Sequence, residues 1–209
     1  MTNVNDTERL KDVKNKGLLW VNTKMKQNKI HTQAGSISYL LYGEKPSEQS
    51  INIKFGHFGE FLSKEMIQCN QNLELLPCGN TLINKRLRDV DLIFIDKTKN
   101  VLYYRELKAN INLDTEKLPA TIIKCNDIVA FLKSKYEDYT IDYAILNWSI
   151  YDRNNLTSGI SGIKNIKCFE KEGINVEHFG DFCNILGFVW SEEDFYSYFR
   201  DIGDSIKAL

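Results

Sequence analysis

The chain has 209 residues, 27 Lys plus Arg against 28 Asp plus Glu, 43% hydrophobic and 11% aromatic residues, and a formal net charge of −1. That is apolar material for one domain with its own core, and it excludes a disordered tail protein and a small fold dependent on disulfides or structural metal. The charge is uneven, with 10 basic and 6 acidic side chains in residues 1–64, 11 and 12 in 65–150, and 6 and 10 in 151–209, so near-neutrality does not exclude a polyanionic partner.

The polar N-terminus MTNVNDTERLKDVKNKG lacks the apolar stretch of a secretory signal, and no apolar run is long enough to span a bilayer. A cytoplasmic protein with no membrane partner is expected. Asp6 or Thr7 caps a first helix; a second begins at Ser47 or Phe58 and continues through GEFLSKEMIQCNQ until Pro77 and Gly79 break it. Residues 90–95 (VDLIFI) and 101–107 (VLYYREL) are rich in β-branched and aromatic residues, and Asp96 to Asn100 (DKTKN) forms a turn between them. Asp114 to Lys117 then leads into the helical pattern LPATIIKCNDIVAFLKSK. A strand over 141–150, a polar loop YDRNNLTSG, a short strand near IKNIKCF and a helix from Ser191 complete the chain. This order predicts a single α/β domain over 1–209: a central mixed β-sheet flanked by helices, with its core at about 57–150. The five cysteines, Cys69, Cys78, Cys125, Cys168 and Cys183, form no CxxC pair and read as free intracellular thiols.

The chemistry is concentrated in the hairpin. If its turn closes so that Ile95 faces Leu102, Asp91 lies opposite Glu106, and the period of two puts Glu106 and Lys108 on one face with Asp91 beside them. Opposed carboxylates are unfavourable unless a cation compensates them, and Mg²⁺, held by one or two carboxylates plus waters, is a natural compensator. Lys108 is then placed to orient a water or stabilise charge on phosphorus, which points to metal-assisted phosphodiester hydrolysis. The bland alternative is a surface ion pair. Against it stands the apolar content of both strands, which predicts a hairpin buried on both faces.

Asp91, an apolar strand, a turn, and Glu106-Leu107-Lys108 on a second strand resemble the PD-(D/E)XK nuclease signature shared by type II restriction endonucleases and several repair nucleases. The resemblance implies an α-β-β-β-α-β restriction-endonuclease-like core. It implies Asp91, Glu106 and the Leu107 backbone carbonyl as metal ligands, Lys108 as the catalytic lysine, and Glu60 as an additional acidic residue of the site. Glu60 reads equally as a helix-terminus residue. Val90 stands where the motif has Pro, and Asp89 competes with Asp91 for the first ligand role. Asp12-Val13-Lys14 has the same acidic-x-Lys spacing but lies in a polar helical stretch with no opposed carboxylate.

The implied partner is double-stranded DNA. Candidate phosphate contacts are Lys85, Arg86 and Arg88 before the first core strand, and Lys117 and Lys124 on the following helix. Arg153, Asn154 and Asn155 have the donors for base readout, or form an ordinary polar turn. No phosphate-cradling GxxxxGK[ST] run occurs, so no nucleotide cofactor is expected. The resulting reading is a Mg²⁺-dependent type II restriction endonuclease acting as a homodimer on a palindrome. The alternatives are a repair or junction-resolving nuclease on the same core, and a non-catalytic nucleic-acid-binding module.

Overall fold

A computed structural model describes residues 4–27, 31–45, 47–109, 118–152 and 174–207. Three helices come first: α1 (Val4–Gln27), α2 (Ile37–Tyr42) and α3 (Glu48–Gln68). Of the two expected starts Ser47 is the one that caps α3, its hydroxyl accepting from Ser50 N–H, and the helix ends at Gln68, short of the expected Gln71. Phe58, Leu62 and Met66, spaced by four, put one face of α3 into the core.

Strands β1 (Leu73–Leu75), β2 (Gly79–Ile83), β3 (Arg86–Val90), β4 (Leu92–Asp96) and β5 (Val101–Lys108) follow. Then come α4 (Leu118–Lys135), β6 (Thr140–Asn147), β7 (Asn175–His178), α5 (Phe179–Leu186) and α6 (Glu192–Lys207). Five strands make a mixed sheet in the order β1-β4-β5-β6-β7, antiparallel from β1 to β5 and parallel from β5 to β7.

The β4–β5 register is the expected one, with Ile95 opposite Leu102 and Leu92 opposite Arg105. Asp96 sets it. Its Oδ1 accepts from Thr98 N–H at 2.9 Å, Thr98 hydroxyl at 2.6 Å and Lys99 N–H at 3.1 Å. Burial alone would push this carboxyl up, yet these donors and the Lys99 ammonium hold it down at about 2.

Period-two alternation separates two cores. Leu92, Phe94, Tyr103, Leu107 and Leu146 pack with residues of α1, α3, α5 and α6, whereas Ile93, Ile95, Leu102, Tyr104 and Ile145 pack with Cys125, Ile128 and Leu132 of α4. The helices therefore flank both faces. The side chain of Arg105, on β5, is fully buried: Nε and one terminal nitrogen grip Glu177 of β7 at 2.7 and 2.8 Å, and Asp142 of β6 lies 2.8 Å away. One guanidinium thus joins three strands.

Several elements differ from the expected ones. Val90 belongs to β3 rather than the core strand, because β2 and β3 form a separate two-stranded sheet closed by Asn84 and Lys85 at φ 49° and 62°. The strand expected over 141–150 stops at Asn147. The expected strand near IKNIKCF and the Asp114–Lys117 helix start lie outside the described residues, Asp6 and Thr7 lie inside the first turn of α1 instead of capping it, and α2, β1, β2, β7 and α5 had no counterpart among the expected elements. Cys69, Cys78, Cys125 and Cys183 are free thiols. Among the described residues, no helix is long and apolar enough to cross a membrane.

Candidate active site

Asp91 is the single residue between β3 and β4. Its Oδ2 accepts from Leu107 N–H at 2.8 Å, so a side chain takes over where the β4 backbone stops pairing with β5. That contact carries the hairpin register one residue past the ladder and brings Asp91 to Glu106.

On β5, Tyr104, Glu106 and Lys108 share the face covered by α4, as period two requires. Glu106 is 1% exposed, and its charge is fully engaged. Oε2 accepts from the Tyr104 hydroxyl at 3.0 Å and lies 2.7 Å from Lys124 Nζ. Oε1 accepts from Lys108 Nζ at 3.0 Å. Lys124 Nζ also lies 3.3 Å from Asp91 Oδ1, so one ammonium bridges both carboxylates. Two acids and two lysines make a closed, charge-balanced cluster at the end of the strand.

Burial, and then the negative charge of Glu106, push Asp91 up to about 6, against the pull of Lys124, the Leu107 amide and Lys108. Burial works against the Lys124 ammonium, but Asp91 and Glu106 outweigh it and hold Lys124 above its usual range. Tyr104 is held well above 10 by burial and by Glu106, which keeps it a hydrogen-bond donor. Cys125 is raised to about 11 by burial and by the Glu106 charge, so it is packing rather than a nucleophile.

Glu60 stands on α3, half-buried, 3.6 Å from His57 Nδ1 and 3.5 Å from Lys64 Nζ. It makes no hydrogen bond to Asp91 or Glu106. The Cys78 thiol is raised by burial and feels the charges of Lys64, Glu60 and Asp91. Asp89 does not meet Lys108: it pairs with Asn80 in the outer ladder and is exposed. Of the two acids competing for the first ligand role, only Asp91 reaches Glu106.

Among the candidate phosphate contacts, Lys85 and Arg86 are exposed at the tip of the β2–β3 hairpin. Arg88 is ion-paired to Asp127 of α4 and largely buried, so it fastens the hairpin to the helix. Lys124 points into the carboxylates instead of outward. Lys117, Arg153, Asn154 and Asn155 lie outside the described residues. Tyr104 was missed, although its position two residues before Glu106 was a usable signal. The bridging role of Lys124 had no sequence signal, because it depends on how α4 is rotated over the sheet.

The donor set suits a hard divalent cation. Asp91 and Glu106 supply oxygens, and the Leu107 carbonyl points to the same strand edge as its N–H, which Asp91 occupies. Among the described residues no group of three or more His, Cys, Asp or Glu gathers to hold a metal, so such an ion keeps several waters. Lys124 already supplies positive charge between the two acids, so an ion held there would have to displace it.

No family model, curated protein or solved structure matches the chain.

Proposed function

We propose that the chain is a Mg²⁺-dependent DNA endonuclease of the PD-(D/E)XK type, hydrolysing phosphodiester bonds, with type II restriction as the specific role. The observation that carries this reading is the convergence of Asp91, Glu106 and Lys108 at the end of β5, with the Lys124 ammonium between the two acids. The order α3, β1, β4, β5, α4, β6 supports it, being an α-β-β-β-α-β sequence with the β2–β3 hairpin inserted.

Asp91, Glu106 and the Leu107 carbonyl would hold the ion, which when bound activates a water and offsets phosphate charge. Lys108, its side chain 27% exposed, is the lysine that meets solvent and hence the phosphate or attacking water. Lys124 draws Asp91 back toward its charged form and holds the two acids close together until the ion arrives. Duplex DNA is the partner, and a twofold homodimer follows if the cut is palindromic.

The experiment is digestion of supercoiled plasmid with and without Mg²⁺, alongside a thermal-shift titration of the ion. Discrete bands that vanish with chelator support restriction-type cleavage; cleavage confined to branched DNA moves the reading to a junction-resolving nuclease. Metal-independent cutting, or no thermal shift with Mg²⁺, overturns it.

A further inference from the structure

At the end of β5 the chain continues from Lys108 to Ala109, whose carbonyl accepts from the Ser149 hydroxyl, while Trp148 N–H donates to the Lys108 carbonyl at 3.2 Å. These bonds form one side of a cavity of about 250 Å³. Asn52 and Phe55 of α3 border it on another side, and Tyr196 and Phe199 of α6 on a third, with Trp148 and Ser149 completing the wall. Gly59 lets α3 come this close: a Cβ there would collide with the Trp148 indole.

Among the described residues no charged side chain lines the cavity. A phosphate or carboxylate entering it would lose water and gain no cation from this described lining. An uncharged planar group fits better, since its faces meet aromatic rings and its edge meets the Asn52 amide and the Ser149 hydroxyl. The place narrows the choice further. Consecutive Cα atoms are about 3.8 Å apart and successive side chains point to opposite faces. Lys108 therefore faces the carboxylate cluster, and Ala109 the cavity, at one and the same strand end.

We propose that this cavity is a base pocket, receiving one nucleobase turned out of the stack from the strand whose phosphate lies at Glu106 and Lys108. The occupant rests on the nuclease reading, because that reading supplies the strand. Stacking between aromatic side chains accepts any base, and Asn52 and Ser149 offer hydrogen bonds to its edge.

The test uses the full chain and a short single-stranded DNA of mixed sequence, with Ca²⁺ in place of Mg²⁺, and the same strand carrying abasic sites. Binding is read by fluorescence anisotropy and by quenching of tryptophan emission. The wild type should bind the base-bearing strand roughly tenfold more tightly than the abasic one. Asn52→Phe, at an exposed helix position, fills the cavity and should remove that preference together with the quenching. Phe55→Leu, a milder change, should reduce the preference without unfolding the chain.

Equal binding of both strands by the wild type, or an unchanged preference in both variants, overturns the pocket. The two readings separate cleanly. Glu106→Gln should abolish Mg²⁺-dependent cleavage and keep the base preference. A wild type that shows the preference but never cuts refutes the nuclease and leaves the pocket standing; one that cuts without the preference does the reverse.

Discussion

The residue with the most unusual environment is Asp91. Its carboxyl is raised to about 6 from an ordinary value of 3.8 by burial and by facing Glu106. A raised acid keeps a proton in the native state that the unfolded chain has already released. Stability therefore declines as pH rises between about 4 and 6 and levels off above that. Urea unfolding across this range should show a loss on the order of 3 kcal/mol, which Asp91→Asn removes. Saturating Mg²⁺ should shrink the loss, since a cation between the acids offsets their repulsion. A second expectation concerns Lys108, whose ammonium hydrogen-bonds Glu106 but still meets solvent. Lys108→Ala should lower plasmid cleavage by roughly 100-fold or more with little change in melting temperature; retention of full activity would remove Lys108 from the chemistry. Lys124→Ala should behave differently, because it leaves two buried carboxylates without the charge that bridges them. Its thermal stability should drop without metal and recover with Mg²⁺, as a thermal-shift titration reads directly.

Elements carry the next level of explanation, and they show what the sequence makes legible. The β4–β5 register was readable because Asp96 closes the turn locally and because both strands alternate between two apolar faces. From that register the meeting of Asp91 and Glu106 followed. The β2–β3 hairpin was not readable: Leu82 and Leu87 are 70% and 65% exposed, so its pattern lacks the buried alternation that marks a strand, and its KRLR run read as a basic cluster. One of that cluster's three basic residues changed its meaning once Arg88 met Asp127 on α4. Lys124 was hidden for a related reason, since helix phase over a sheet is set by tertiary packing of Cys125, Ile128 and Leu132. Arg105 had no local signal either; its partners come from β6 and β7, and Glu177 lies 72 residues away. Arg105→Ala should cost about 3–5 kcal/mol in denaturant unfolding, because it strands Glu177 as a buried charge without its partner. Replacing the pair together, Arg105→Met with Glu177→Leu, should restore much of that stability; a double variant as unstable as the single one would show that the guanidinium works through its bonds to the Tyr104 and Asp142 carbonyls instead.

For the whole molecule, the charge gradient acquires a different meaning. Part of the basic excess of residues 1–64 is engaged in ion pairs. Lys14 pairs with Asp194 of α6, Lys16 lies 2.9 Å from Glu65 of α3, and Lys64 lies 3.5 Å from Glu60. The first two tie α1 to α6 and to α3, the third lies within α3, and Asp194 in the acidic first turn of α6 is the counterpart of Lys14. Among the described residues, Lys85 and Arg86 at the β2–β3 tip are exposed. The DNA-facing electrostatics should therefore lie there and at Lys108. Each phosphate neutralised contributes about 0.9 to the slope of log affinity against log salt. The double variant Lys85→Ala, Arg86→Ala should thus flatten that slope by roughly 2 for duplex DNA in Ca²⁺, and weaken binding alike for all sequences. Lys14→Ala should leave the slope unchanged and act on stability alone, through the lost contact to α6. If the Lys14 variant changed the slope and the hairpin variant did not, the N-terminal helix rather than the β2–β3 tip would be the surface that meets DNA.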